Sequence, residues 1–336
     1  MVPSLSRRVI AVVQATALSS AIAAAATFSW NGLLIANLST TPAVPWSVPT
    51  MAVVLYLLWR YLAGAWWPRR TASTRRALLR AAPIDRRAFA WSVIAGALGV
   101  VALVGLWIAL VEITGSGGNP TLPDVSAYPP LTIALGIAMG SLVSPLSEEA
   151  AFRGYAQTLL ERVFPAAPAI ATSSVLFALW HGPTQGFVWN KLLFFFVVGL
   201  LFGVIAYANG SILPGIPAHI LGDLTFFTLV WPNDAGRPLL SRDGADAGFW
   251  IAVVVTIVFF ALSAMAVRQV VLSSPRHSSG GAALRGEAAG VVKTTRECES
   301  GLVGWKVRER KTGLYVPNVE TTRLVRDERG RLRLAS

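Results

Sequence analysis

Ser144-Pro-Leu-Ser-Glu-Glu-Ala-Ala-Phe-Arg153 sets two adjacent carboxylates and an arginine at the end of an apolar run that begins near Leu131. An ionisable side chain at membrane depth costs about 2.5–3.5 kcal/mol on insertion scales, so two acids and a base beside a span mark a functional position by default. Two later stretches each put a histidine into an apolar run: Phe177-Ala-Leu-Trp-His181 and His219-Ile-Leu-Gly-Asp223. The chain has only one other histidine, His277.

The surroundings of these stretches are those of a polytopic membrane protein. Hydrophobic residues make up 54% of the 336 residues and charged residues 14%, against about 25% charged in an ordinary soluble domain. The net charge of +12 is concentrated in two places. Seven arginines lie between Arg69 and Arg87, and thirteen Lys or Arg follow Leu272, where seven acids partly offset them. That distribution reads as topology determinants and a basic tail, and no nucleic-acid partner is expected. The single cysteine, Cys298, excludes an internal disulfide and a cysteine-based zinc cage.

Apolar runs recur along the chain. The first, from Val9 to about Leu38, follows Arg7 and Arg8 and is read as a retained span, because its hydrophobicity continues past the alanine-rich stretch that resembles a cleavage region. Others cover Pro45 to Trp67, Phe89 to Ile113, Pro130 into the acidic stretch, Pro168 to His181, Phe187 to Ala208, Ile212 to Trp231 and Phe249 to Leu272. The expectation is therefore an all-α bundle of about eight transmembrane helices. Gly136 with Gly140, and Gly199 with Gly203, have the spacing that lets helices approach closely. Charge asymmetry puts both termini in the cytoplasm. Residues 1–128 form the N-terminal helices and an arginine-rich loop, 129–272 the core with the acids and histidines, and 273–336 a small tail. That tail opens with a flexible linker and carries weak hairpin signals around Lys311-Thr-Gly313 and Glu328-Arg-Gly330.

Helical rise permits the three polar stretches to meet. Glu148 and His181 are almost equally distant from the turn at Pro165, some 25 Å along two antiparallel helices at about 1.5 Å per residue. His219 lies about 12 Å along its own helix from the Asn209-Gly-Ser211 turn. Glu149 and Arg153 have i,i+4 spacing in the orientation that favours an ion pair, which leaves Glu148 free of a local partner. Glu148 is thus the candidate general base, with His181 positioning the attacking water.

In this order the motifs resemble the CPBP family of membrane-embedded endopeptidases, which includes the type II CAAX prenyl proteases and the bacteriocin-processing and immunity proteins. The family pattern, Glu-Glu-x-x-x-Arg, Phe-x-x-x-His and His-x-x-x-Asn or Asp, is matched by Glu148, Glu149 and Arg153, by Phe177 and His181, and by His219 and Asp223. The resemblance covers about residues 130–232. It implies that Glu148 and His181 activate a water for attack on a scissile amide, and that His219 and Asp223 hold that water or stabilise the oxyanion. Asp223 takes the rarer option, since an ionised Asp lacks the amide donor of Asn. Glu149, Arg153 and Phe177 orient the motifs. Family members are commonly named metalloproteases, and Glu148, His181 and His219 are a known ligand set for zinc. The sequence has no H-E-x-x-H, and metal-free glutamate and histidine chemistry is equally compatible with it.

The expected partners are a peptide or protein substrate at the membrane and the bilayer itself, with the oligomeric state left open. Each motif alone has a bland reading: a helix-surface ion pair for Glu149 and Arg153, a helix-terminal histidine for His181, a structural hydrogen bond for His219 and Asp223. Their coincidence in one chain favours a site. Arg60, Lys191 and Glu112 are read as snorkelling or interfacial charges, and Phe194-Phe-Phe196 as core or lipid-facing packing. The competing functions are a non-proteolytic scaffold or immunity protein that binds a partner helix, and a proton-coupled transporter.

Overall fold

The computed structural model describes residues 4–118 and 125–273, and the backbone of four short strands in the tail. Met1–Gly281 form one compact unit and Ala282–Ser336 a second. The tail strands make two antiparallel pairs, Arg296–Glu299 with Leu302–Trp305 and Arg323–Arg326 with Leu332–Ala335. The second pair brackets the expected turn at Glu328-Arg-Gly330. The turn at Lys311–Gly313, His277 and the linker after Ser273 lie outside the described residues.

In the first unit, α1 (Leu5–Thr40) and α2 (Ser47–Leu62) are followed by a short α3 (Ala72–Leu79) and the long α4 (Arg86–Thr114). Next come α5 (Pro130–Glu148), a π-helical segment (Glu149–Ala156), α6 (Gln157–Glu161), α7 (Ala166–Gln185) and α8 (Trp189–Asn209). The unit ends with α9 (Gly215–Thr225), a second π-helical segment (Phe226–Val230), the one-turn α10 (Leu240–Asp243) and α11 (Ala247–Ser273). All eight expected apolar runs are helical. Among the described residues, five helices are long and apolar enough to cross a membrane: Leu5–Thr40, Arg86–Thr114, Pro130–Glu161, Trp189–Asn209 and Ala247–Ser273. The α2 helix is apolar but shorter. The α7 helix turns polar groups inward instead, with the Ser173 hydroxyl donating to the Phe152 carbonyl at 2.7 Å.

Local sequence explains several boundaries. Asp85 caps α4 by accepting from the backbone N–H of Arg87 at 2.8 Å. Gly115, at φ +68°, ends the same helix in the left-handed region. The turn between α1 and α2 is organised by buried Asn37, whose amide donates to the carbonyls of Thr41 and Val44 and whose oxygen accepts from both the backbone and the hydroxyl of Ser47.

The α4 helix is the central strut, packed against α8, α9 and α11. A Cβ at Gly96 would lie 2.4 Å from that of Ala218, so α9 can lie this close only against glycine. Of the two expected small-residue pairs, only one brings backbones together: a Cβ at Gly199 would stand 2.8 Å from Cα of Ser174 on α7. Gly136 and Gly140 face the side chains of Leu34 and Trp30 on α1, at 3.5 and 3.3 Å.

Two charges read as snorkelling belong to the interior. Lys191 is buried and donates to the Gly118 carbonyl at 3.0 Å. Glu112 is buried as well. Beside Lys191, Asp234 accepts from Trp107 Nε1 at 2.8 Å, Gly118 N at 2.7 Å and Arg237 Nε at 2.8 Å, tying together the loops at this end of the bundle. The sequence hides this because the Trp107 indole and the backbone groups of Gly118 lie far from Lys191 and Asp234 along the chain.

Candidate active site

Pro145 lies inside α5 and has no N–H to give to the carbonyl one turn back. Four residues later the helix widens into the π-helical Glu149–Ala156 segment, a form met mostly at functional positions. At Gly154 a Cβ would sit 2.9 Å from the Leu79 carbonyl oxygen, so the C-terminal end of α3 packs directly on the widened turn.

The two adjacent glutamates have different neighbours. Glu149 is wholly buried, and its Oε1 lies 3.4 Å from Arg153 Nη1, a charge contact rather than a hydrogen bond. Arg153 is 1% exposed, donates to the Val198 carbonyl at 3.3 Å and stands 4.0 Å over the Phe177 ring. The i,i+4 pair of Glu149 and Arg153 is thus internal and not the helix-surface contact of its bland reading, because the widened helix is enclosed by α1, α7 and α8. Phe177 meets Phe152 edge to face with ring centres 5.3 Å apart.

His181 stacks on Phe195, with centroids 3.9 Å apart and planes 14° from parallel. Its Nδ1 lies 2.9 Å from the Phe177 carbonyl, which can only accept, so Nδ1 carries the proton and Nε2 presents its lone pair. That Nε2 is 3.7 Å from Glu148 Oε1. His219 stacks on Phe202 at 4.7 Å and 15°. Its Nδ1 is 3.0 Å from Glu149 Oε1, and its Nε2 lies 3.8 Å from Glu148 Oε2 and 3.7 Å from Asp223 Oδ1. Separations of 3.7–3.8 Å are too long for hydrogen bonds but are spanned by one water lying about 2.8 Å from each group. Glu148 Oε2 and Asp223 Oδ2 are buried atoms with no protein partner.

All seven residues singled out from the sequence therefore come together. Three further side chains join them: the phenyl rings of Phe195 and Phe202, and Ser144, whose hydroxyl lies near the carboxylates of Glu148 and Asp223. Ser144 could have been found from its place one helical turn before Glu148. Nothing in the sequence marks the two phenyl rings.

In donor chemistry the cluster fits zinc. Both imidazoles have Nδ1 tied to an acceptor and Nε2 presented, as metal-bound histidines do. In spacing it is more open, since among the described residues no three such groups are disposed as a metal cage. Chemically, the arrangement can bind a water against a carboxylate and two imidazoles at a point largely buried from solvent.

Residues 130–225 match the family model described as Type II CAAX prenyl endopeptidase Rce1-like. Neither the curated proteins nor the solved structures gave a significant match. The matched segment holds every acid, histidine and arginine of the cluster, and over that segment the chain is similar to the CPBP/CAAX-type membrane proteases.

Proposed function

We propose that the protein is a membrane-embedded endopeptidase that hydrolyses a peptide bond at or within the cytoplasmic leaflet, with Glu148 as general base. The observation that carries this reading is the convergence of the Glu148 carboxylate with the Nε2 atoms of His181 and His219, at 3.7 and 3.8 Å. Water held between Glu148 and His181 gives a proton to Glu148 as its oxygen attacks the scissile carbonyl carbon. Glu148 then returns that proton to the nitrogen of the departing amine, the C–N bond breaks, and a carboxylic acid and an amine are the products, the acid's proton passing on to the amine to give carboxylate and ammonium. His219, held by Glu149, faces the developing oxyanion together with Asp223, and each donates there only when it carries the extra proton, His219 as the imidazolium. Glu149, Arg153 and Phe177 fix the positions of these groups.

A bound zinc would be held by Glu148, His181 and His219, and would supply Lewis-acid polarisation of the carbonyl. Metal content of the purified chain, compared between the wild type and His181→Ala, measures it. The arginines at 69–87, with Arg7 and Arg8, support cytoplasmic termini.

The test is mass spectrometry of new N-termini in membranes carrying the wild type, Glu148→Ala or His181→Ala. Termini present with the wild type and lost with both variants are expected. Identical termini in all three, with partner binding intact in both variants, would instead leave a scaffold or immunity protein.

A further inference from the structure

The arginine-rich loop does more than its charge requires. Topology needs only positive residues near a span, and a loose loop would serve. Here the segment is built rigidly. Arg75 is buried, and its guanidinium donates to the carbonyls of Tyr61, Trp66 and Pro68 and to the Thr71 hydroxyl, with its charge 4.4 Å over the Tyr61 ring. Arg80 pairs with Glu161 at 2.9 Å. These two of the seven arginines hold the structure. The other five, Arg69, Arg70, Arg76, Arg86 and Arg87, are exposed, and none pairs with a carboxylate among the described residues. Asp85, within the same segment, is occupied in capping α4.

The held segment also touches both parts of the candidate site. The Leu62 carbonyl accepts from Tyr155 of the π-helical segment at 3.1 Å, and the Leu79 carbonyl lies against Gly154. The carbonyls of Arg80 and Ala82 accept from Ile212 N and the Ser211 hydroxyl, just ahead of the helix that carries His219. Trp67 stands 83% exposed and Trp66 40% exposed beside the end of α2, the position of indole rings at a bilayer interface.

We propose that Trp66, Trp67 and the exposed arginines at 69, 70 and 76, extended by Arg86 and Arg87, form a binding surface for the phosphate headgroups of anionic lipids. Guanidinium groups match phosphate in charge and hydrogen-bond geometry. The indole rings and the adjoining apolar helices place that phosphate in a bilayer rather than on a nucleic acid or an acidic protein. Occupancy would brace α3 against the widened turn and against the start of α9.

The test uses the purified full-length chain in neutral detergent. It is titrated with short-chain phosphatidylglycerol, short-chain phosphatidylcholine or inorganic phosphate, and bound molecules are counted by native mass spectrometry. Binding of phosphatidylglycerol alone, weakening as salt is raised, is expected. Each arginine near a charged surface changes binding by roughly fivefold, so Arg69→Gln, Arg70→Gln and Arg76→Gln together should weaken it about 100-fold. Should that triple variant fail to fold, 0.5 M salt added to the wild type, on the order of what collapses the screening length, must release the lipid. Equal binding of phosphatidylcholine, equal binding of free phosphate, or undiminished binding after either treatment overturns the proposal.

Discussion

Glu148 and Glu149 are neighbours in the chain with opposite duties. Glu149 is engaged by Arg153 and His219, whereas Glu148 keeps an oxygen without any protein partner. Their amide variants should separate cleanly. Glu148→Gln is expected to fold normally and to lose at least about 100-fold in cleavage, the share of a general base, as measured by the appearance of wild-type-dependent termini. Glu149→Gln leaves the Arg153 charge buried without its carboxylate and should cost roughly 3–5 kcal/mol of stability, read as a lower thermal midpoint in detergent. At this scale the sequence was most legible. The charged and imidazole residues announce themselves because they are out of place in apolar runs. Phe195 and Phe202 do not, since a phenylalanine that stacks on a histidine and one that faces lipid are the same letter in the same kind of helix. Lys191 and Glu112 misled for the converse reason: a charge near a helix end looks interfacial until the loop that covers it is known.

The helices themselves were legible where a cap or a glycine ends them, as Asp85 and Gly115 do for α4. The widening at 149–156 was not, because it follows from Pro145 together with packing by α3, and only the proline is local. Gly154→Ala tests that packing. The added methyl would meet the Leu79 carbonyl at 2.9 Å, so α3 must shift. Overpacking of this kind costs about 1–3 kcal/mol, and a lower thermal midpoint with reduced cleavage is expected, although the substituted residue has no chemistry. Of the two glycine pairs with identical spacing, only that of Gly199 and Gly203 meets another backbone closely, and it does so at Gly199; spacing shows that a groove exists, and rotation of the neighbouring helix decides what fills it.

For the whole molecule, composition alone announced a helical membrane protein, and five helices among the described residues meet the length and apolarity of a span. The lipid-facing character of α11 follows from the same arithmetic: Ile251, Val254, Ile257 and Leu272 are exposed around it. The side of the membrane on which the tail lies is open to direct measurement because Cys298 is the only cysteine. A membrane-impermeant thiol reagent should label the chain in inverted vesicles and not in intact cells, with full labelling after detergent as the control. Labelling of intact cells would reverse the proposed orientation.

The flat stacking of both imidazoles carries one more consequence. His181 lies on Phe195 and His219 on Phe202, each with its Nδ1 held by an acceptor. A proton wire needs rings that load on one nitrogen, discharge from the other and then turn over to reset. Clamped on a phenyl face and tethered at one edge, neither ring can perform that somersault. At His181 the route is a cul-de-sac for conduction, because the Phe177 carbonyl behind Nδ1 cannot take a proton, and one received at Nε2 leaves by the way it came.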